Sequence, residues 1–340
     1  MFRRFCLVSS QLLIALISSV VVADDELFTA SGVLEAELRG PVAATIRDKK
    51  DPDERQFILV TDEGEWPVKV RTRGKSRIEL CQFPPLRLNF PGEAPNHGSF
   101  AGLDKVKLVT HCGSSSRNHD NLLAEFAAYR MFQLLTDNSY RVRLMSMGYV
   151  ETDRRKSKPV DGPAFLIEPS DRTAARLSGD ASPVQHIVKS RIDGDQAALV
   201  FVFQYLIGNS DFSLVTATGD DACCHNLDPL TVDGRQVLVP YDFDLATLVG
   251  ARYARQSAAY MRNRGRDRVY GGYCLDELPL EGAIETILAR RTELLDVLKR
   301  LPWSSAEAGQ KRVDFVASFF EEAVEDGFAS RLDKGCLGRR

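Results

Sequence analysis

The sequence predicts an α+β protein in two parts, a β-rich N-terminal part with one main helix and a mainly helical C-terminal part. Three observations lead there. Between residues 28 and 110, short alternating or β-branched runs are separated by Gly, Pro and Asp. One segment in the N-terminal half carries apolar residues at helical spacing. From about residue 185, long apolar or amphipathic helical patterns dominate.

Strands are expected over 33–38, 57–61, 66–72, 86–90 and 106–109. Gly113-Ser114-Ser115-Ser116 is a flexible turn before a helix with Leu122, Phe126, Tyr129, Phe132 and Leu135 along one face. Further strands are expected over 142–150 and 164–167, with a polar, Pro-containing loop over 154–161. Residues 197–207 are apolar nearly all round, which suits a helix buried in a core. A short strand over 237–240 follows a turn at Asp233-Gly234. Ile284, Ile287, Leu288, Leu294, Leu295 and Leu298 form one amphipathic stripe, and Val313, Val316, Phe319, Phe320 and Val324 form another. Pro302 separates the two.

The 340 residues suffice for two lobes sharing a cleft. Hydrophobic content of 44% and charged content of 27% are those of a soluble globular protein. A net charge of −3 argues against a nucleic-acid binder, which would carry a basic excess. Arg3 and Arg4, the apolar stretch 12–22 and the small residues Val21-Val22-Ala23 read as a signal peptide over 1–23, followed by lobes over 24–168 and 169–340. The expected mature protein is secreted or periplasmic and has no membrane span, because no later segment approaches the required length. Beyond the leader stand Cys81, Cys112, Cys223, Cys224, Cys274 and Cys336, an even set that suits disulfides in an oxidising compartment. Cys81 with Cys112 is one plausible staple, and the other four would pair among themselves. A zinc centre at Cys223, Cys224 and His225 competes, although adjacent cysteines lack the usual chelating spacing.

Two acidic phrases carry the chemical expectation. In Gly208-Asn209-Ser210-Asp211 an apolar run ends at a lone carboxylate, and Pro240-Tyr241-Asp242-Phe243-Asp244 follows a strand. Phosphoryl transfer needs an aspartate that orients the attacking hydroxyl and a second that holds the metal. Asp211 is the candidate catalytic residue. Asp242 is the candidate metal ligand, Asp244 could face the same side by strand alternation, and Asn226 is a possible further ligand. The phrase Arg71-Thr72-Arg73-Gly74-Lys75-Ser76-Arg77 follows a strand and could cradle phosphate, though it lacks the Walker spacing. Lys107 is a candidate phosphate-side lysine, with Glu125 on the next helix as its partner. An arginine run (Arg252, Arg255, Arg262, Arg264, Arg266 and Arg268) interleaved with tyrosines could grip an acidic or phosphate-bearing acceptor.

The motif order resembles the CotH-like family of secretory atypical kinases. A strand leads to RxRGxS, then come "LRLNF", an Asn-initiated helix, "FLIEP", "GNSDF" and "PYDFDLA", covering roughly residues 68 to 249. The resemblance implies an atypical protein-kinase-like two-lobed fold, ATP with Mg²⁺ or Mn²⁺, and a hydroxyl acceptor. Carried over by position, Arg73, Gly74 and Ser76 match the phosphate-side phrase, and Glu168 matches the segment linking the lobes. Asp211 matches the catalytic aspartate and Asp242 the metal aspartate. Two departures stand out. Phe212-Ser213 follow the aspartate where relatives carry a basic residue or histidine. Phe83-Pro84-Pro85 stand where the family lysine is expected, leaving Lys107 as a substitute. Two functions therefore stay open: an exported kinase acting on a protein or other hydroxyl acceptor, and a catalytically inactive pseudokinase-like protein of the cell envelope. A metal-dependent hydrolase using the same carboxylates is a third.

Overall fold

The computed structural model describes residues 26–92, 95, 98–153, 160–215, 223–257, 261, 266–276 and 278–338. The expected leader, most of the 154–161 loop, and Tyr260, Arg262 and Arg264 lie outside the described residues.

The N-terminal part is a closed barrel of seven strands. They are β1 (Leu34–Gly40), β2 (Arg55–Thr61), β3 (Gly64–Thr72), β4 (Leu86–Asn89), β5 (Lys105–Thr110), β6 (Val142–Glu151) and β7 (Val160–Ile167), in the order β1-β2-β3-β4-β5-β7-β6. All neighbours are antiparallel except β1 and β6, whose parallel pairing closes the ring from Leu34 opposite Met145 to Gly40 opposite Glu151. The expected alternation holds: β1 buries Leu34, Ala36 and Leu38 and exposes the residues between. Leu59, Val68, Val70, Leu88 and Leu108 fill the interior.

Short helices α1 (Glu26–Thr29), α2 (Val42–Arg47) and α3 (Ser76–Leu80) decorate the barrel, and sequence periodicity missed all three. The main helix, α4 (Ser116–Leu135), starts at Ser115, whose side chain accepts from the Asn118 N–H. It joins the second core, with Phe132 against Phe203 and Tyr129 against Phe243. That core contains the helical part: α5 (Ser170–Arg176), α6 (Gly194–Leu206), the hairpin β8 (Leu227–Val232) and β9 (Arg235–Pro240), α7 (Leu280–Ala289), α8 (Arg291–Lys299), α9 (Ala306–Ala323) and α10 (Phe328–Lys334).

Residues 197–203 of α6 are buried on every side, each large apolar side chain contributing about 1.5–3 kcal/mol. Asp233 and Gly234 both have positive φ, the conformation a two-residue primed hairpin turn requires. The sequence pattern missed β8 because Pro229 interrupts it. Proline is tolerated there because, among the described residues, β9 is the strand's one ladder partner and its other edge carries a lone bridge at Thr231. The 284–298 stripe is two helices, broken at Arg290. Cys81–Cys112, Cys223–Cys224 and Cys274–Cys336 are disulfides, so Cys223 and Cys224 offer no thiolate and the zinc expectation fails. Among the described residues no helix is long and apolar enough to cross a membrane.

Candidate active site

The two acidic phrases meet because their supporting backbones bond to each other. Helix α6 stops at Gly208, which takes φ +67°, a left-handed position that favours glycine. A Cβ there would lie 2.3 Å from the Asp267 carbonyl oxygen. The Gly208 carbonyl accepts from the Thr247 N–H at 3.1 Å, and that of Ile207 accepts from the Leu248 N–H. The chain after Asp244 is thus tied to the end of α6. Beyond Gly208, the Asn209 side chain accepts from the Asp211 N–H at 3.0 Å.

Asn226 joins the two phrases. Its Nδ2 donates to the Asp211 carbonyl at 2.6 Å and to Asp211 Oδ2 at 3.0 Å, while its own carbonyl accepts from the Tyr241 N–H at 3.1 Å. Asn226 and Asp242 both adopt positive φ (54° and 58°), uncommon for residues with a Cβ and concentrated where geometry is functional. His225 Nε2 lies 3.3 Å from Asp211 Oδ2. That hydrogen bond raises the histidine's pKa against the opposing effect of burial, with help from the charges of Asp211 and Asp242.

Arg77, the last residue of the basic phrase, organises the other side. Its Nη2 donates to Glu125 and to Asp242, each at 2.6 Å, and its Nε donates to Asp244 at 2.9 Å. Burial opposes its charge, but Asp244, Glu125 and Asp242 outweigh burial and hold the guanidinium protonated. The three acids differ in environment. The Asp242 side chain is 47% exposed. Burial pushes its pKa up, but Arg77, Arg73 and Lys107 reverse this and keep it below the ordinary range. The Asp244 side chain is 5% exposed and also accepts from the Tyr253 hydroxyl at 2.9 Å. Burial, with the charges of Asp242 and Glu125, pushes it up to about 7. Burial likewise raises Glu125.

Two expectations therefore change. Glu125 pairs with Arg77 and not with Lys107. Lys107 stands 5.3 Å over the Tyr241 ring, in the field of Arg73, Asp228 and Asp242, and burial lowers its pKa. Asp244 does not share an open face with Asp242. The strand ends at Pro240, so alternation no longer applies, and Phe243 turns into the core between them. Arg73 is half-buried near Asp242, and burial lowers its pKa. Gly74 (φ +99°) and Ser76 are exposed at the start of α3. Glu168 is buried with its carboxylate held by Arg176 at 2.8 Å and by the Arg141 N–H at 3.1 Å, so it ties the end of α5 to the residue before β6.

Sequence reading missed the role of Arg77. It also missed Tyr129, whose hydroxyl accepts from the Asp242 N–H at 2.9 Å, and Tyr253. One signal was available: a glutamate on the buried face of a helix requires a cation. Of the arginine run, Arg268 is internal, donating to the Leu206 carbonyl and to Ser318. A cavity of about 670 Å³ lies between the start of α4, residues 245–255 and α9.

No protein-family model and no curated protein matches the chain. Among solved structures it is similar to the crystal structure of a Helicobacter pylori proinflammatory kinase, CtkA, with 10% identity, a TM-score of 0.35, and coverage of 85% of this chain and 94% of that one. The likeness is remote.

Proposed function

We propose that the protein is an exported phosphotransferase of kinase-like, two-lobed organisation that moves the terminal phosphoryl group of ATP to a protein or other hydroxyl acceptor. One observation carries the reading: Asn226 bonds both Asp211 and the backbone of the residue preceding Asp242, which supports a site shared by the two carboxylates. Asp211, 21% exposed and oriented by Asn209 and Asn226, would align the acceptor hydroxyl and take its proton. Arg73 and Lys107, whose charges act on Asp242 beside that of Arg77, would neutralise phosphate oxygens. The three disulfides support an oxidising compartment, secreted or periplasmic.

The donor chemistry fits a hard divalent cation. Asp242 is half-open and ionised, and among the described residues no hydrogen bond engages the Asn226 side-chain oxygen. Asp242 and Asn226 would hold Mg²⁺ or Mn²⁺, and Asp244, spent on Arg77 and Tyr253, would support them from behind. When bound, the ion would neutralise charge on the transferring phosphate.

A second reading has its own observation. Arg77 already sits on Asp242 at 2.6 Å, supplying internally the positive charge a metal would bring. This favours a non-catalytic, pseudokinase-like binding protein of the cell envelope. Thermal-shift titration with ATP, with and without Mg²⁺ or Mn²⁺, separates the two. The phosphotransferase reading expects a metal-dependent shift that Asp242→Ala abolishes. No shift in the wild type, or an unchanged shift in Asp242→Ala, would sink the metal role.

A further inference from the structure

A second basic feature lies away from Asp211 and Asp242. Arg117, Arg252 and Arg255 surround a recess of about 440 Å³ whose fourth lining residue is Gly250. Arg252 and Arg255 belong to a 3₁₀ turn, Arg252–Gln256. Three residues complete a turn of such a helix, so positions 252 and 255 lie one above the other on a single face. Ala251 and Ala254 are buried, and the Tyr253 hydroxyl is bonded to Asp244, so the turn holds both arginines outward. Arg117 approaches from the first turn of α4, and Ser116 beside it lines the adjoining 670 Å³ cavity.

Among the described residues, none of the three guanidiniums has an ion pair or side-chain hydrogen bond, and no acid lines the recess. The acids of the adjoining cavity are Asp120, Asp267 and Glu307, and Asp120 is engaged by the Ser304 N–H at 2.8 Å. Like charges held side by side repel, so three arginines around one recess with no ion pair among the described residues are poised for an anion. A phosphoryl group suits them best. It carries nearly two charges and three terminal oxygens, and guanidinium forks match its geometry. The larger cavity continues from the recess past Leu245, Val249 and Phe315, leaving room for residues that flank the anion in a chain.

We propose that Arg117, Arg252 and Arg255 form a receptor for a phosphorylated protein segment. The proposal needs no phosphoryl transfer at Asp211, since a binding protein would use the recess in the same way. The test therefore reads binding alone, without nucleotide. Fluorescence anisotropy on the full chain would compare a peptide pool with a central phosphoserine, its unphosphorylated twin, inorganic phosphate, and phosphatidylserine-containing vesicles.

The expected result is preferential binding of the phosphorylated pool, weakened about tenfold for each arginine changed to Gln. Arg290→Gln and Arg300→Gln, arginines placed elsewhere, should leave binding unchanged. Arg252→Lys/Arg255→Lys keeps the charge but loses the fork, so it should fall between wild type and the double Gln variant. The proposal is overturned if the wild type does not prefer the phosphorylated pool, or if folded Gln variants bind it as well as wild type. It is equally overturned if inorganic phosphate binds as tightly as the peptide, which would mark a free-anion site, or if the same arginines bind vesicles instead.

Discussion

Arg77 and Glu125, 48 residues apart in sequence, are joined by a 2.6 Å ion pair inside the protein, the arginine side chain 8% exposed and the glutamate 4%. The same nitrogen reaches Asp242 at 2.6 Å, so the pair fixes the candidate metal aspartate to both the barrel side and helix α4.

Replacing Arg77 by Met should destabilise the protein by about 3–5 kcal/mol, because Glu125 and Asp244 would remain buried without a cation. Urea denaturation of the two proteins measures this. A change under about 1 kcal/mol, the scale of an exposed ion pair, would show that the cluster is not desolvated as described.

Asp244 makes stability depend on pH with a definite sign. Its folded-state pKa is raised from the ordinary 3.8 to about 7, so between those values the folded protein holds a proton that the unfolded chain has released. Its contribution is therefore greatest at low pH and declines as pH rises from about 4 to about 7. Stability curves for Asp244→Asn should lack that decline relative to wild type. Parallel curves would place Asp244 outside this role.

The imidazole of His225 reports on Asp211. Its pKa is raised by the Asp211 hydrogen bond, so its contribution is present below the unfolded-chain value of 6.5 and is lost as pH rises through the folded value. In an NMR titration, Asp211→Asn should move the His225 midpoint downward while the chain stays folded. An unmoved midpoint would mean that the two side chains do not meet in solution.

Gly208→Ala should cost more than about 1 kcal/mol, since alanine is strained at φ +67° and its methyl would strike the Asp267 carbonyl. Because Gly208 leads into Asp211, the His225 midpoint should shift in the same variant. A chemical melt and the same NMR titration test both effects.

Local pattern carried much of this protein. The alternation of β1, the buried run of α6 ending at Gly208, and the Asp233-Gly234 turn were all legible, because each reflects the period of one element or the conformational freedom of one residue. The break at Arg290 and strand β8 were not. The helical stripe runs on across Arg290, and Pro229 is permitted because that strand has a single ladder neighbour among the described residues.

The sequence alone was enough to mark Asp211 and Asp242 as notable, since each follows a recognisable helix or strand end. It could not show that the barrel closes through the parallel pairing of β1 with β6, or that Arg77 rather than Lys107 takes Glu125. Nor could it show that Asp244 turns inward while Asp242 stays half-open. Those outcomes depend on which charges share a desolvated volume. Partners 48, 165 and 167 residues from Arg77 are brought there by packing and not by any local pattern.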